Sequence, residues 1–162
     1  MGIDVYLTWP DQTSEEQAAQ ADAYLALDGG DAGYLRESYT GGPYATKILC
    51  RDAFESPMRE AQIPATILRE RLTSITEPAY GFDAGHNIAR EIAEQLAEAG
   101  ASVRKPGPSR TTPTTVEEAV AARYADEPEL ARKVLASVRA FVALAEQKER
   151  ETGIPCTVRV EF

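Results

Sequence analysis

Ile3-Asp4-Val5-Tyr6-Leu7-Thr8-Trp9 places apolar side chains on alternate positions with Asp, Tyr and Thr between them, and Pro10 follows. This two-residue period is typical of a strand with one buried face. The other end of the chain, Pro155-Cys156-Thr157-Val158-Arg159-Val160-Glu161-Phe162, alternates in the same way. We therefore expect a strand at each terminus, with the two strands close together.

Most of the sequence between these strands has helical signals. Thr13 with Glu16, and Thr115 with Glu118, have the spacing of a capping box, in which each side chain bonds the other residue's main chain. Gly153 is suited to end the last and longest helix, since glycine accepts left-handed backbone angles. The sequence predicts helices over 13–27, 63–72, 83–100, 115–124 and 126–153, and a short strand over 46–50.

This order of elements is not a regular alternation of strand and helix, so it favours an α+β fold. We predict a single globular domain over residues 1–162. Its small, mostly antiparallel sheet holds the N- and C-terminal strands and is packed by several helices, including a long C-terminal one. Residues 104–115 contain three prolines, a glycine and no large apolar side chain, and they predict a flexible loop.

Composition and charge restrict the functions to consider. The 162 residues are 43% apolar and 27% charged, which is ordinary for a folded protein. No run approaches the roughly 20 apolar residues of a membrane span, and no basic segment or apolar signal core follows Met1, so we expect a cytoplasmic protein away from membranes. The net charge of −9 disfavours binding of duplex nucleic acid, whose phosphates require a basic face.

The cysteines and the single histidine do not form a metal-binding pattern. Cys50 and Cys156 each lie in an apolar run and are expected to be buried thiols. His86 follows no Cys-x-x-Cys spacing, so we expect no metal, and we find no motif for a cofactor.

The segment 33–46 has the composition of a binding surface. It holds Tyr34, Arg36, Tyr39 and Tyr44 together with a Gly-Gly-Pro turn. Aromatic faces beside a guanidinium suit a small polar or anionic ligand, including a nucleotide-like one, or a protein partner. In an extended segment, Tyr34 and Arg36 would project to one side and Glu37 and Tyr39 to the other. The alternative is that the tyrosines are sheet and core residues and that Arg36 pairs with a nearby acid.

A catalytic alternative uses the histidine. His86 follows the predicted helix cap Asp83 by three residues, where the helix dipole favours a neutral imidazole. With Asp83 or Glu37 as the acid, it could serve a small hydrolase or transferase. We favour a non-enzymatic binding module, because no nucleophile is placed beside His86 by a motif.

Three segments together resemble a group of short bacterial and phage-encoded proteins with no established activity. They are the opening Met-Gly-Ile-Asp-x-Tyr, the Gly-Tyr-Leu-Arg-Glu-x-Tyr segment with its downstream Pro-Tyr-Ala-Thr, and the late run from Ala145 to Cys156. The resemblance spans most of the chain. It implies that these segments belong to one domain and transfers no catalytic residue.

The assembly state follows from the terminal strands. Because an unpaired strand edge invites a partner, half-exposed terminal strands could pair across a two-fold axis. We therefore expect a homodimer.

Overall fold

The terminal strands are neighbours inside a five-stranded antiparallel sheet of order β2-β3-β1-β5-β4. The structure is a computed structural model and describes residues 2–26, 28–39, 42–74, 95–96, 98–100 and 115–162. The strands are β1 (Gly2–Thr8), β2 (Gly29–Asp31), β3 (Tyr34–Ser38), β4 (Glu60–Gln62) and β5 (Thr157–Glu161). The helices in these ranges are α1 (Ser14–Ala23), α2 (Ala45–Leu49), α3 (Arg51–Glu55), α4 (Ala65–Thr73), α5 (Val116–Arg123) and α6 (Pro128–Thr152). The predicted α+β fold, with a long C-terminal helix, is confirmed.

The expected homodimer relied on an unpaired edge of a terminal strand, and in the structure both terminal strands are paired on two sides. β1 pairs with β3 on one side and β5 on the other, and β5 also pairs with β4. Neither terminal strand is therefore an edge strand that could accept a second copy. The edges are β2 and β4, and each has only three residues. Such short edges present few unpaired main-chain groups.

The two faces of the sheet follow the alternation in the sequence. On β1 the side chains of Ile3, Val5 and Leu7 are fully buried, and on β5 Val158 and Val160 are buried with them. The long helix α6 contributes the other half of this core. Its buried residues are those predicted for its apolar face, with Leu130 only partly buried: Val134, Val138, Phe141, Val142 and Ala145.

Both predicted capping boxes are present. Thr13 Oγ1 accepts a hydrogen bond from Glu16 N at 3.2 Å, and Glu16 Oε2 accepts one from Thr13 N at 2.8 Å. Thr115 and Glu118 make the same pair of bonds at the start of α5. Gly153 ends α6 with a left-handed φ of 76°. These helix ends depend only on neighbouring residues, which is why the sequence predicts them.

α1 ends at Ala23, before the predicted limit of residue 27. Gly29 and Gly30, which follow the predicted end of this helix, lie in the edge strand β2. Gly30 has a φ of +150°, and a Cβ on it would lie 1.9 Å from the carbonyl oxygen of Tyr34. Only glycine fits this close approach of two strands.

The prediction of a strand over residues 46–50 is wrong. Residues 45–49 form α2 and Cys50 caps it. The apolar run Ile48-Leu49-Cys50 fits a buried strand or one buried face of a helix equally well. The buried carboxylate of Glu37 favours the helix, because it accepts hydrogen bonds from Ala45 N and Thr46 N at the start of α2.

Other predictions fall partly or wholly outside the described residues. Of the predicted helix 83–100, residues 95, 96 and 98 are described as helical, and Gly100 has the positive φ of a helix end. The predicted loop 104–115 is described only at Thr115. Within the described ranges, no helix is long and apolar enough to cross a membrane.

Both cysteines are buried free thiols, as predicted. Burial raises the pKa of Cys156 to about 11 and raises the pKa of Cys50 as well. Since the thiolate is the reactive form, both side chains act as small apolar core residues.

The core of α6 makes a testable prediction. Phe141→Ala should lower the free energy of unfolding by about 3–5 kcal/mol, because the ring is fully buried and its removal leaves a cavity. The control Leu25→Ala, at a side chain that is 83% exposed, should change it by no more than about 0.5 kcal/mol. Urea unfolding followed by circular dichroism measures both. A loss below about 1 kcal/mol for Phe141→Ala would contradict this packing.

Candidate functional site

The structure divides the tyrosine-rich segment into two groups. Tyr34 and Arg36 project from one face of β3, and Glu37 projects from the other, as the alternation predicts. Tyr39 and Tyr44 lie beyond the strand and stack on each other with ring centroids 5.6 Å apart. The four predicted ligand-binding residues therefore do not form one cluster of contacts among the described residues.

Tyr34 is fully buried, and both its hydroxyl and its ring contact neighbouring side chains. Its hydroxyl donates a short hydrogen bond to Asp4 Oδ1, and its ring packs against those of Tyr6 and Tyr24, with centroids 5.2 and 5.9 Å away. Burial, followed by the hydrogen bond and charge of Asp4, raises the pKa of Tyr34. The hydroxyl therefore remains a donor at physiological pH.

Arg36 is held by the same neighbourhood. Its Nε lies 3.7 Å from Asp4 Oδ1, and its Nη1 donates to the carbonyl of Tyr24 at 3.0 Å. The guanidinium also covers the Tyr24 ring, 4.8 Å from its centroid. Tyr34 and Arg36 thus make the contacts of the alternative interpretation, in which the tyrosine is satisfied internally and the arginine pairs with an acid.

Glu37 is a buried structural carboxylate. It is 1% exposed, and its two oxygens accept hydrogen bonds from Ala45 N, Thr46 N and Thr46 Oγ1 at 3.0, 3.0 and 2.6 Å. Arg123 Nε lies 3.9 Å from Oε1. This acceptor satisfies amide groups at the start of α2, which explains why residues 45–49 are helical.

The pKa of Glu37 reflects two opposing effects. Burial raises it, because a carboxylate loses its hydration. The hydrogen bonds from Thr46 and Ala45 and the charge of Arg123 act in the opposite direction but are weaker, so the pKa lies above its usual value. With both oxygens bonded, Glu37 is poorly placed to assist a histidine. His86 and Asp83, the other members of the catalytic alternative, lie outside the described residues.

Tyr39 and Tyr44 belong to a larger group around the ammonium of Lys47. The Nζ atom of Lys47 lies 5.7 and 5.0 Å from their ring centroids, and 5.8 and 5.7 Å from those of Phe54 and Phe162. The guanidinium of Arg59 is 4.3 Å from the Phe162 ring. We call this group the aromatic–cationic cluster; its members are Tyr39, Tyr44, Lys47, Phe54, Arg59 and Phe162.

The rings of the cluster form two stacked pairs. Tyr39 covers Tyr44 with an interplanar angle of 20°, and Phe162 covers Phe54 with an angle of 27° and a centroid distance of 5.5 Å. In each pair one ring is exposed, Tyr39 at 48% and Phe162 at 49%, while the other is half-buried. The exposed rings offer flat apolar surface, and the neighbouring cations favour a ligand with negative charge.

Arg59 is fixed in an unusual backbone conformation. Its φ is +55°, a left-handed value that is uncommon for a residue with a side chain. Its carbonyl accepts a hydrogen bond from Val160 N at 2.9 Å, and its Nη1 donates to the main-chain oxygen of Phe162 at 3.3 Å. These bonds hold the guanidinium against the last ring of the cluster. Strained residues of this kind are enriched at functional sites.

Nearby carboxylates are engaged by other arginines. On α3, which carries Phe54, Asp52 pairs with Arg71 at 2.6 Å and Glu55 pairs with Arg51 at 2.7 Å. Their negative charge is therefore partly neutralised beside the cluster.

Sequence reasoning missed Lys47, Phe54, Arg59 and Phe162. They lie far apart in the chain, and pairing of β5 with β1 and β4 brings Phe162 to the others. The one available signal was the alternation at the C-terminal end, which puts Phe162 on the same side as Val158 and Val160.

Comparison of the chain with protein-family models, with curated proteins and with solved structures finds no match. Among the residues that the structure describes, no group of three His, Cys, Asp or Glu side chains could hold a metal ion. The contacts and charges of the cluster are therefore the basis for a functional proposal.

The buried carboxylate gives a pH-dependent prediction. Because the pKa of Glu37 is raised on folding, its contribution to stability is fully present below the unfolded value of 4.5 and is lost as the pH rises through the folded pKa. Glu37→Gln removes this titration and keeps the shape. The stability of the wild type relative to this variant should therefore fall as the pH rises above 4.5.

Urea unfolding of both proteins across this pH range measures the difference. The control Glu117→Gln removes one carboxylate from the surface of α5 and reports the effect of the change in net charge alone. A wild-type advantage that grows with pH would mean that the hydrogen bonds and Arg123 outweigh burial.

Proposed function

We propose that this chain is a non-enzymatic binding module whose aromatic–cationic cluster binds a small planar anion of the nucleotide class. The observation that carries this proposal is the position of the Lys47 ammonium, within 5.0–5.8 Å of four ring centroids. A nucleotide combines the two features that this arrangement recognises, a flat aromatic base and a charged phosphate.

The exposed rings supply the stacking surface. A base stacked on an aromatic side chain gains about 1–3 kcal/mol, and the contact tolerates any base because each has a π-face. Tyr39 and Phe162 are each about half exposed while backed by a second ring, so a base can cover them without a rearrangement of the core.

The cations supply the charge recognition. Lys47 lies beside both ring pairs and Arg59 lies beside Phe162, so a phosphate attached to a stacked base would be within reach of a positive group. An arginine can also hold phosphate through two parallel N–H donors. Adding this charge to stacking favours a nucleotide over an uncharged nucleoside.

A small anion is compatible with the acidic chain, whereas duplex nucleic acid is not. The net charge of −9 repels an extended polyanion along its whole length. A single phosphate interacts mainly with the groups beside it, since salt screens exposed charges beyond roughly 10 Å. We therefore expect duplex DNA to remain unbound at physiological salt.

The side chains of the cluster favour binding over catalysis. They are aromatic rings, an ammonium and a guanidinium, which supply stacking surface and hydrogen-bond donors. A protein partner presenting an acidic or aromatic segment would use the same contacts. The density of cations beside the rings favours the small anionic ligand.

Titration calorimetry with adenosine monophosphate and with adenosine tests the proposal. The nucleotide should bind, and the nucleoside should bind more weakly. The double variant Tyr39→Ala/Phe162→Ala should weaken nucleotide binding about tenfold, because it removes both exposed stacking rings. Lys47→Met should reduce the difference between nucleotide and nucleoside, because it removes charge and keeps an apolar chain.

Matched controls lie outside the cluster. Tyr24→Ala removes another half-exposed tyrosine, and Lys133→Met removes an exposed lysine on α6. Both should leave the affinity unchanged. The proposal fails if the wild type binds neither compound, or if the control variants lose as much affinity as the double variant and Lys47→Met.

A further inference from the structure

We propose that the cluster accommodates two consecutive nucleotides of a single strand, one base on Tyr39 and the other on Phe162, with the linking phosphate at Lys47. This inference rests on the proposed function and specifies its ligand. It is carried by the arrangement of the rings in two pairs, which a site for one base does not require.

The two pairs are separate stacking surfaces that share one cation. Tyr39 contacts Tyr44, and Phe162 contacts Phe54, in stacked geometry. The Lys47 ammonium is the same distance, 5.7 Å, from the centroids of both exposed rings. A dinucleotide has the matching layout, because its two bases extend from sugars that are joined through one phosphate.

Different elements hold these rings at a fixed spacing. Tyr39 follows β3, Phe162 follows β5, Phe54 lies on α3, and Tyr44 precedes α2. Because β1 pairs with both β3 and β5, the sheet sets the distance between the two exposed rings. A site built in advance binds with a smaller loss of conformational freedom than one that must be ordered by its ligand.

Arg59 extends the site beyond the linking phosphate. Its guanidinium lies 4.3 Å from the Phe162 ring. It would contact a phosphate attached to the second nucleotide on the side away from the linking phosphate. A terminal phosphate at that end should therefore increase the affinity.

In a duplex the bases are stacked and paired internally, so neither ring could cover a base, and the site selects a single strand.

The test compares adenosine monophosphate, adenylyl-adenosine and a short blunt-ended DNA duplex of two separate strands by titration calorimetry with the folded full chain. Adenylyl-adenosine should bind at least about tenfold more tightly than the mononucleotide, since it adds a second stacked base. The blunt-ended duplex should not bind. Tyr39→Ala and Phe162→Ala should each reduce the affinity for adenylyl-adenosine to about that for the mononucleotide.

The conservative variants Tyr39→Phe and Phe162→Tyr keep each ring and should keep the higher affinity for adenylyl-adenosine. Comparing them with the alanine variants separates loss of stacking from loss of folding. If the mononucleotide binds and adenylyl-adenosine binds no more tightly, the two-base site is overturned while the proposed function stands. If neither binds, both are overturned. Equal effects of Tyr39→Phe and Tyr39→Ala on the affinity for adenylyl-adenosine would also overturn the two-base site.

Discussion

The candidate site depends on the hydrogen bonds that the buried carboxylate of Glu37 accepts on the core-facing side of β3. By accepting hydrogen bonds from Ala45 N, Thr46 N and Thr46 Oγ1, it attaches the start of α2 to the end of β3. Burying a carboxylate is unfavourable unless its oxygens are bonded, so these bonds keep the carboxylate and the helix together. Lys47 follows in the next position, and its ammonium reaches both ring pairs because the helix begins at this point.

The two sides of β3 have separate roles. On one side, Tyr34, Asp4 and Arg36 form an internal polar group in which each charged or hydroxyl group has a partner. Beyond the strand, Tyr39 and Tyr44 join residues from α2, α3 and the end of β5. The sequence places all four predicted residues within eleven positions, yet alternation and the turn after the strand divide them. Aromatic density in a sequence therefore does not by itself locate a binding surface.

Helix ends and the buried faces of strands could be predicted from the sequence, whereas contacts between residues far apart in the chain could not. The capping boxes at Thr13 and Thr115 depend on residues three positions apart, and the alternation of the terminal strands shows their buried faces directly. Residues 46–50 were misassigned because their helical state depends on Glu37, eight and nine positions away from its main-chain donors. Phe162 enters the site only through the order of the strands, which periodicity does not determine.

We propose that the rings around Lys47, and not those around Arg36, face the ligand. Nuclear magnetic resonance of the protein with labelled tyrosine and phenylalanine rings, titrated with adenosine monophosphate, tests it most directly. Stacking of the base shifts the ring signals that it covers. We expect saturable shifts at Tyr39 and Phe162, with Tyr6 and Tyr24 unchanged. Shifts confined to Tyr6 and Tyr24, or no saturable shift at any ring, would contradict it.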